Sequence, residues 1–251
     1  MAGRPKPTAR QAFEDNVDDA RTLVALARAL RNRRLRRMRR ELREKVGTAL
    51  SVRRRDWPQL ECLESEDLFV VFKPGARLTR EDLDAVRLRS LLRQAVVAGC
   101  TAIETFAADR VMERMGDILR QEDKPLRLLD LPMTVGDWLT IEEQYERRKW
   151  GLRQIIELEV RRMASPAPAQ IGILFSLVGE HDLWKRVNQR RGISRSRSEG
   201  RLEEIYERRN TIAHMGDRDG RGRASITIEE VEHLLDDVHA IVDALDKETV
   251  A

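Results

Sequence analysis

The chain has 251 residues and a formal net charge of +4, with 41% hydrophobic, 36% charged and only 4% aromatic residues. This length holds one sizeable domain, or a core domain with a helical extension, and the composition favours long amphipathic helices over a β-sandwich. The longest uncharged stretch, 163–179, contains Pro166 and Pro168. It is shorter than the ~20 apolar residues of a membrane-spanning helix, so we expect no membrane association.

Residues 1–76 are predicted to form an N-terminal basic helical region followed by an irregular connector. Apolar residues at helical spacing indicate one long helix, or a helical pair, over about 10–46. The Trp57-Pro58 pair interrupts the connector 47–75, and the apolar run 68–72 indicates a short strand before a Pro-Gly turn. The region therefore adds a helical extension to an all-α fold, with room for one minor β-hairpin.

Positive charge is concentrated in residues 21–55. There, 13 Arg and one Lys stand against two Glu, a net charge of +12, so that the rest of the chain totals −8. One basic segment on an otherwise acidic protein is typical of a nucleic-acid footprint. It is equally consistent with a solvated helix whose arginines pair with the acidic remainder. The candidate RNA-binding residues are Arg33, Arg34, Arg36, Arg37 and Arg40.

Residues 77–251 are predicted to form the main domain, an all-α helical bundle. Thr79 followed by Asp82 resembles a capping box and predicts the start of a long helix. The part of this helix over 94–108 is apolar on nearly every face, which indicates a central helix buried on two sides. Glu104 is the only charged residue in that stretch. A carboxylate there is costly unless a cation meets it or it faces a water-filled edge.

Further helices are predicted after the proline-bounded connector 124–132. Thr140 with Glu143 resembles a second capping box, and Thr227 with Glu230 resembles a third, so we expect a helix to begin at each. The predicted elements are a helix over about 140–164, a short apolar segment over 171–178 with a helix through 183–187, a helix over about 198–214, and a last helix over 227–245.

The two cysteines, Cys62 and Cys100, occur in unrelated contexts without the spacing of metal ligands. They are most simply interpreted as free thiols in a reducing compartment. The chain opens with a basic, Pro-containing tail and not with a signal peptide. We therefore expect a cytoplasmic protein that binds no metal.

Arg209 is the most informative residue of the 198–214 helix. On a helical wheel at roughly 100° per residue it falls near the centre of an apolar stripe. The stripe consists of Leu202, Ile205, Tyr206, Ile212 and Ala213. A permanently charged guanidinium at a core-facing position needs a partner or a functional role, and Glu104 is the candidate partner.

His214 follows Arg209 by five residues and is the side chain type best suited to proton transfer near neutral pH. Asn210 and His214 share one helical face, whereas Arg209 points about 100° away from Asn210. One helix should therefore not aim Arg209 and His214 at the same point, but a second copy around a two-fold axis would bring both pairs into one cleft.

Such a cleft contains the groups that cleavage of RNA by its own 2′-hydroxyl requires. A base removes the hydroxyl proton, an acid protonates the leaving oxygen, and a guanidinium binds the phosphorane charge. No metal cage is needed for these steps. The requirement for a 2′-hydroxyl would make RNA, and not DNA, the substrate.

The stretch Arg209-Asn210…His214 resembles the signature of the HEPN superfamily, in which an Arg, often followed by Asn, precedes a His by several residues. Arg208 also fits the spacing but lies at the outer edge of the stripe. The resemblance to the RiboL-PSP-HEPN branch extends to the segment AFEDNVDDA, the helix sequence LRQAVVAGCTAIETF and the insert over 171–187. It covers most of the chain.

The resemblance implies an up-and-down four-helix bundle that forms a homodimer with the two motifs facing each other. It further implies a metal-independent endoribonuclease without a cofactor. It assigns catalysis to Arg209, Asn210 and His214, with Glu104 in a supporting position. It also implies a toxin–antitoxin or anti-phage defence role, and hence a cognate antitoxin or defence partner. The residues after His214 lack the tyrosine that an antitoxin modifies in one branch of the superfamily.

Two alternatives to an enzyme stay open. In the first, the protein is a catalytically inactive RNA-binding or assembly module whose basic segment grips phosphates. In the second, Arg209 and Glu104 form a buried ion pair that only fixes the register of two helices.

Overall fold

The computed structural model of the protein describes residues 6–144, 148–194 and 196–250. Its helices and strands are α1 (Ala9–Arg31), β1 (Arg34–Arg36), α2 (Arg40–Ala49), β2 (Glu61–Glu64), β3 (Phe69–Phe72), α3 (Ala85–Ile118), α4 (Leu126–Leu129), α5 (Val135–Gln144), α6 (Arg148–Met163), α7 (Pro168–Ser176), α8 (Leu183–Arg190), α9 (Arg197–Met215), β4 (Arg218–Asp219), β5 (Gly222–Arg223) and α10 (Ile228–Thr249). The prediction of a mainly helical fold with few strands is confirmed.

The chain forms two compact units. The first contains residues 1–20, 96–224 and 233–251, and the second contains 21–95 and 225–232. Both units contain residues that precede residue 76 and residues that follow it. The predicted domain boundary between residues 76 and 77 therefore stays a prediction. None of the helices within the described ranges is both long and apolar enough to cross a membrane.

In the first unit, α9 packs with the parts of three other helices that belong to this unit, 9–20 of α1, 96–118 of α3 and 233–249 of α10. The rings of Phe13 on α1 and Phe106 on α3 meet edge to face with their centroids 6.0 Å apart. Gly99 lets α10 approach α3 closely, because a Cβ at that position would lie only 2.7 Å from Cδ2 of Leu235. Ile205 contributes α9 to the same core and is 1% exposed. These close contacts hold α9, which carries the predicted motif, against α3.

The helices predicted over 198–214 and 227–245 are confirmed as α9 and α10, and so are the signals predicted at the end of α9 and the start of α10. Gly216 ends α9 in the left-handed region at φ 63°, and the N–H of the following residue, Asp217, donates to the carbonyl of Thr211 at 3.0 Å. At the start of α10, the N–H of Thr227 donates to Glu230 at 2.8 Å, and the N–H of Glu230 donates back to the Thr227 hydroxyl at 3.2 Å. This reciprocal pair is the predicted capping box. The predicted apolar segment and the helix after it are α7 and α8.

The predicted start of the helix after the connector was wrong. Thr134 and Asp137 form the box instead, with the N–H of Thr134 donating to the carboxylate at 2.8 Å and the N–H of Asp137 donating to the Thr134 hydroxyl at 3.1 Å. The helix therefore begins before Thr140, whose hydroxyl donates to the carbonyl of Gly136 one turn back. Residues 145–147 of the predicted 140–164 helix lie outside the described residues.

The predicted start of the long helix at Thr79 was also wrong, although the capping contact exists. The N–H and hydroxyl of Thr79 both donate to Asp82 at 2.9 Å, but they cap a short 3₁₀ turn over Glu81–Leu83. Asp84 is extended, with ψ 161°, and interrupts the helical backbone. Its carboxylate accepts the N–H of Arg87 at 2.7 Å, so Asp84 caps α3.

The second unit contains a three-stranded antiparallel sheet in the order β1-β2-β3. The predicted strand over 68–72 is β3. The strand β1 was not predicted, because the sequence favoured helix through the basic segment. It pairs with β2 in a register that sets Arg34 opposite Glu64, and Arg36 forms an ion pair with the same glutamate. Cross-strand attraction of opposite charges favours this pairing over continued helix.

A small apolar cluster forms the core beneath this sheet. Its buried members are Met38, Leu60 and Cys62. Trp57 packs against them and donates its indole N–H to the carbonyl of Val52 at 3.0 Å. Gly47 is required beside the indole, because a Cβ at that position would lie 2.3 Å from Nε1 of Trp57.

Candidate functional site

An open groove of about 480 Å³ in the first unit collects the predicted site residues of α3 and α9. Arg209, Asn210 and His214 line it from α9, and Glu104 lines it from α3. The turn that follows α6, over 164–166, forms the facing wall. Within the described ranges, no group of three or more His, Cys, Asp or Glu side chains is arranged to hold a metal ion.

Arg209 reaches the groove by bending along its own helix. Its Nη1 donates a hydrogen bond to Oδ1 of Asn210 at 3.1 Å. Arg209 and His214 both line this groove, because the long side chain of Arg209 reaches beyond the direction in which its Cβ points. That a single helix does not aim the two side chains at the same point stays a prediction. The Nε of Arg209 is buried, and its N–H donates no hydrogen bond to any atom of the described residues.

The apolar stripe of α9 is narrower than predicted. Ile205 and Ile212 on either side of Arg209 are buried, but Tyr206 is half-buried and Ala213 is exposed. Arg209 itself is half-buried, because the groove opens at its position. A core-facing guanidinium is thus given access to solvent and to a ligand.

His214 stands at the exposed end of the groove. Its ring is accessible and makes no hydrogen bond with any residue that the structure describes. An imidazole that is not engaged within the protein has both ring nitrogens available to exchange protons with a ligand. Asn210 lies one turn earlier on the same face and already holds the guanidinium of Arg209.

Glu104 is half-buried on the α3 side of the groove. Burial raises the pKa of its carboxyl above the ordinary value, and the positive charge of Arg209 opposes that rise. The two side chains therefore act on each other electrostatically. Among the described residues, no ion pair within 4.0 Å joins the carboxylate of Glu104 to the guanidinium of Arg209. The direct ion pair considered from the sequence is therefore not formed.

Cys100 lies beneath the site, one turn before Glu104. Its Sγ lies 3.8 Å from the carbonyl of Ile205 on α9. Burial raises the pKa of this thiol to about 12, although the charge of Arg209 works in the opposite direction. The thiol is therefore protonated at neutral pH and cannot serve as a nucleophile.

A buried ion pair that the sequence did not predict fixes the chain just beyond the motif. Nη1 of Arg208 lies 2.6 Å from Oδ1 of Asp217, and Nη2 donates to Oδ2 at 3.3 Å. Asp217 is 0% exposed and has a left-handed φ of 59°. Its N–H donates to the carbonyl of Thr211, and its carbonyl accepts the N–H of Ala224. Arg208 thus has a structural partner, which favours Arg209 as the arginine of the motif.

The candidate RNA-binding arginines lie in the second unit and divide between the two roles considered for them. Arg36 and Arg40 each form an ion pair with a nearby glutamate. Arg33 donates to a backbone carbonyl at 3.0 Å. Arg34 and Arg37 are exposed, and neither has an ion pair with a described residue.

A family model, RiboL-PSP-HEPN, matches residues 76–251. The match includes α3 with Glu104 and α9 with the Arg209-Asn210…His214 motif. No curated protein and no solved structure matches the chain. Because the matched region is well over half of the sequence and contains the groove, the chain belongs to the RiboL-PSP-HEPN family of the HEPN superfamily.

Proposed function

We propose that the protein is a metal-independent endoribonuclease that cleaves RNA by attack of a 2′-hydroxyl on the adjacent phosphate. One observation carries the proposal: in a RiboL-PSP-HEPN chain, Arg209, Asn210 and His214 line one solvent-open groove. The groove offers a fixed positive charge and an unengaged imidazole within reach of the same ligand. Family membership supports RNase chemistry at this position.

In the proposed reaction, a base takes the proton of the 2′-hydroxyl as its oxygen bonds to phosphorus. The bond from phosphorus to the 5′-oxygen then breaks, and that oxygen receives a proton. The products are a 2′,3′-cyclic phosphate and a free 5′-hydroxyl. His214 transfers protons, and Arg209 stabilises the negative charge on the phosphorane oxygens. Asn210 orients Arg209 through the 3.1 Å hydrogen bond.

One groove supplies a single histidine, whereas the reaction needs both a base and an acid. We therefore propose that a second copy of the chain faces the groove and adds its own Arg209 and His214, as the family resemblance implies. Mixing wild-type protein with an equal amount of His214→Ala protein tests this. If both histidines of a dimer are needed, the activity per wild-type chain falls to about half, because about half of freely exchanged dimers are mixed and hold a single His214. An undiminished activity per wild-type chain would contradict the composite site.

The test of the activity compares wild type with His214→Ala on a labelled RNA in the presence of EDTA. The matched control is His233→Ala, which removes an exposed histidine of α10 from outside the groove. We expect wild type and His233→Ala to cleave alike, and His214→Ala to lose about 100-fold or more in rate. Cleavage by His214→Ala at the wild-type rate would refute the assignment.

We further propose a cellular role as a toxin or anti-phage effector in the cytoplasm, restrained by a cognate antitoxin or defence partner. Degraded total RNA and arrested growth soon after induction of wild type, but not of His214→Ala, would support this role. Normal growth with intact RNA at matched expression would contradict it.

The second candidate is a catalytically inactive RNA-binding or assembly module. The observation that favours it is the exposure of Arg34 and Arg37, which have no ion pair with a residue of known position in the structure. Such arginines suit phosphate contacts that do not lead to cleavage. Salt-sensitive RNA binding with no product from any RNA would support this module over the enzyme.

A further inference from the structure

The hairpin of β4 and β5 begins three residues after the groove-lining Met215 and carries an unusual set of charges. Arg218, Arg221 and Arg223 are all exposed, and none forms an ion pair with a residue in the described part of the chain. Gly220 allows the tight turn with a φ of 56°. Three free cations therefore stand on a loop of six residues, close in sequence to His214.

The register of this hairpin sets like charges against each other. Arg218 pairs directly with Arg223, and Asp219 pairs with Gly222. Directly opposite residues share one face, with Cβ atoms about 4.5–5.5 Å apart, and like charges at such positions destabilise the pairing. Successive residues of a strand point to opposite faces, so Asp219 lies on the other side and does not neutralise the arginine pair.

The hairpin is nevertheless held in place. Two strands of two residues are at best marginally stable alone. The buried Asp217 immediately before them pairs with Arg208 at 2.6 Å, and its carbonyl accepts the N–H of Ala224 at 2.7 Å, which closes the base of the hairpin. A repulsive arginine pair on an anchored hairpin breaks a local rule of stability, as proteins do where function requires it.

We propose that the hairpin is a phosphate-binding clamp that holds the RNA strand where it leaves the groove; this rests on the proposed RNase function. An RNA phosphate between Arg218 and Arg223 relieves their repulsion and receives charge-assisted hydrogen bonds from both. Along the backbone, Arg218 lies within about 15 Å of His214, which a few nucleotides span. The clamp reads no sequence, because its contacts go to phosphates. Its task is to hold a bound strand during cleavage.

The test replaces the three arginines together, as Arg218→Gln, Arg221→Gln and Arg223→Gln. The control variant removes the same charge from three exposed positions outside the hairpin: Arg127→Gln, Lys185→Gln and Arg197→Gln. Each full-length protein also carries His214→Ala, so that a single-stranded RNA of about 15 nucleotides stays intact while its binding is measured at several salt concentrations.

We expect the hairpin variant to bind this RNA about tenfold more weakly than the control variant at low salt, with a slope of log K against log salt smaller by about 2. In the background with His214, its KM should rise by a similar factor while kcat stays close to wild type. Equal slopes and equal KM values in the two variants would overturn the clamp. So would a loss confined to binding of an acidic peptide, with RNA binding unchanged.

The RNase activity and the phosphate-binding clamp can be refuted independently of each other. If wild type cuts RNA and the hairpin variant matches the control variant, only the clamp is wrong. If no RNA is cut by wild type, the RNase assignment is wrong, and the difference in binding slope between the two variants still decides the clamp.

Discussion

Replacing Asp217 by Asn tests whether the ion pair with Arg208 holds the end of α9 in place. Asn keeps the size and one acceptor oxygen but removes the charge. Asp217 is 0% exposed, so Arg208 would lose a fully buried counter-charge. The rest of the fold should be unaffected, because the substitution adds no volume.

The magnitude follows from the burial of the two side chains. Removing one partner of a fully buried pair costs about 3–5 kcal/mol, mostly because the other charge is left uncompensated. The Arg208 side chain is 29% exposed and can regain part of its hydration. We therefore expect a loss of about 2 kcal/mol in the free energy of unfolding. For a chain of this size that lowers the Tm by about 4–8 °C.

Thermal unfolding followed by circular dichroism measures this change. The control is Asp219→Asn, which removes an exposed carboxylate two residues away and should alter the free energy of unfolding by about 0.5 kcal/mol or less. Adding Arg208→Met to Asp217→Asn should recover part of the loss, because the positive charge that lost its buried counter-charge is then removed as well. Equal Tm values for Asp217→Asn and Asp219→Asn would refute the reasoning.

Three further predictions concern the core and the groove. Burial raises the pKa of Glu104, so the carboxyl destabilises the fold increasingly as the pH rises from its ordinary pKa to the raised one. Glu104→Gln should therefore have the same Tm as wild type at about pH 4 and a higher Tm than wild type at neutral pH. A difference in Tm that does not change with pH would contradict this. Gly47→Ala should cost about 1–3 kcal/mol in the free energy of unfolding because of its overlap with Trp57, whereas Gly200→Ala, whose Cβ meets nothing within 4 Å, should be neutral or stabilising. Iodoacetamide should leave Cys100 unlabelled at neutral pH until the protein is unfolded by denaturant, and labelling of the native protein would show that the thiol is accessible.

The presence of the helices was predictable, because the periodicity of apolar residues is a local property of the sequence. The residues at which the helices begin were not predictable in the same way. The boxes at Thr134 and Thr140 are six residues apart, and each satisfies the same sequence pattern. Only the backbone decides that Thr134 caps α5 and that Thr140 lies inside it. At Thr79 the box formed as predicted, but an extended Asp84 separates it from α3. A strand in the arginine-rich segment depended on a partner strand distant in sequence.

The site was predictable where a side chain contradicted its surroundings. A lone carboxylate in an apolar helix drew attention to Glu104, and a charge on an apolar stripe drew attention to Arg209; both line the groove. The bending of Arg209 toward Asn210 was not predictable, because a wheel carries no information on side-chain conformation. The pairing of Arg208 with Asp217 was missed for a related reason, since it forms around the turn at Gly216, where helical spacing no longer applies.

We propose that RNA is cut by its own 2′-hydroxyl at the groove of Arg209 and His214. The most direct measurement maps one cleavage site in an RNA, then repeats the reaction in EDTA with a methyl group on the attacking 2′-oxygen alone. We expect wild type to lose cleavage at that site only, and the unmethylated RNA to yield a 2′,3′-cyclic phosphate and a 5′-hydroxyl. Continued cleavage at the methylated site would contradict the account.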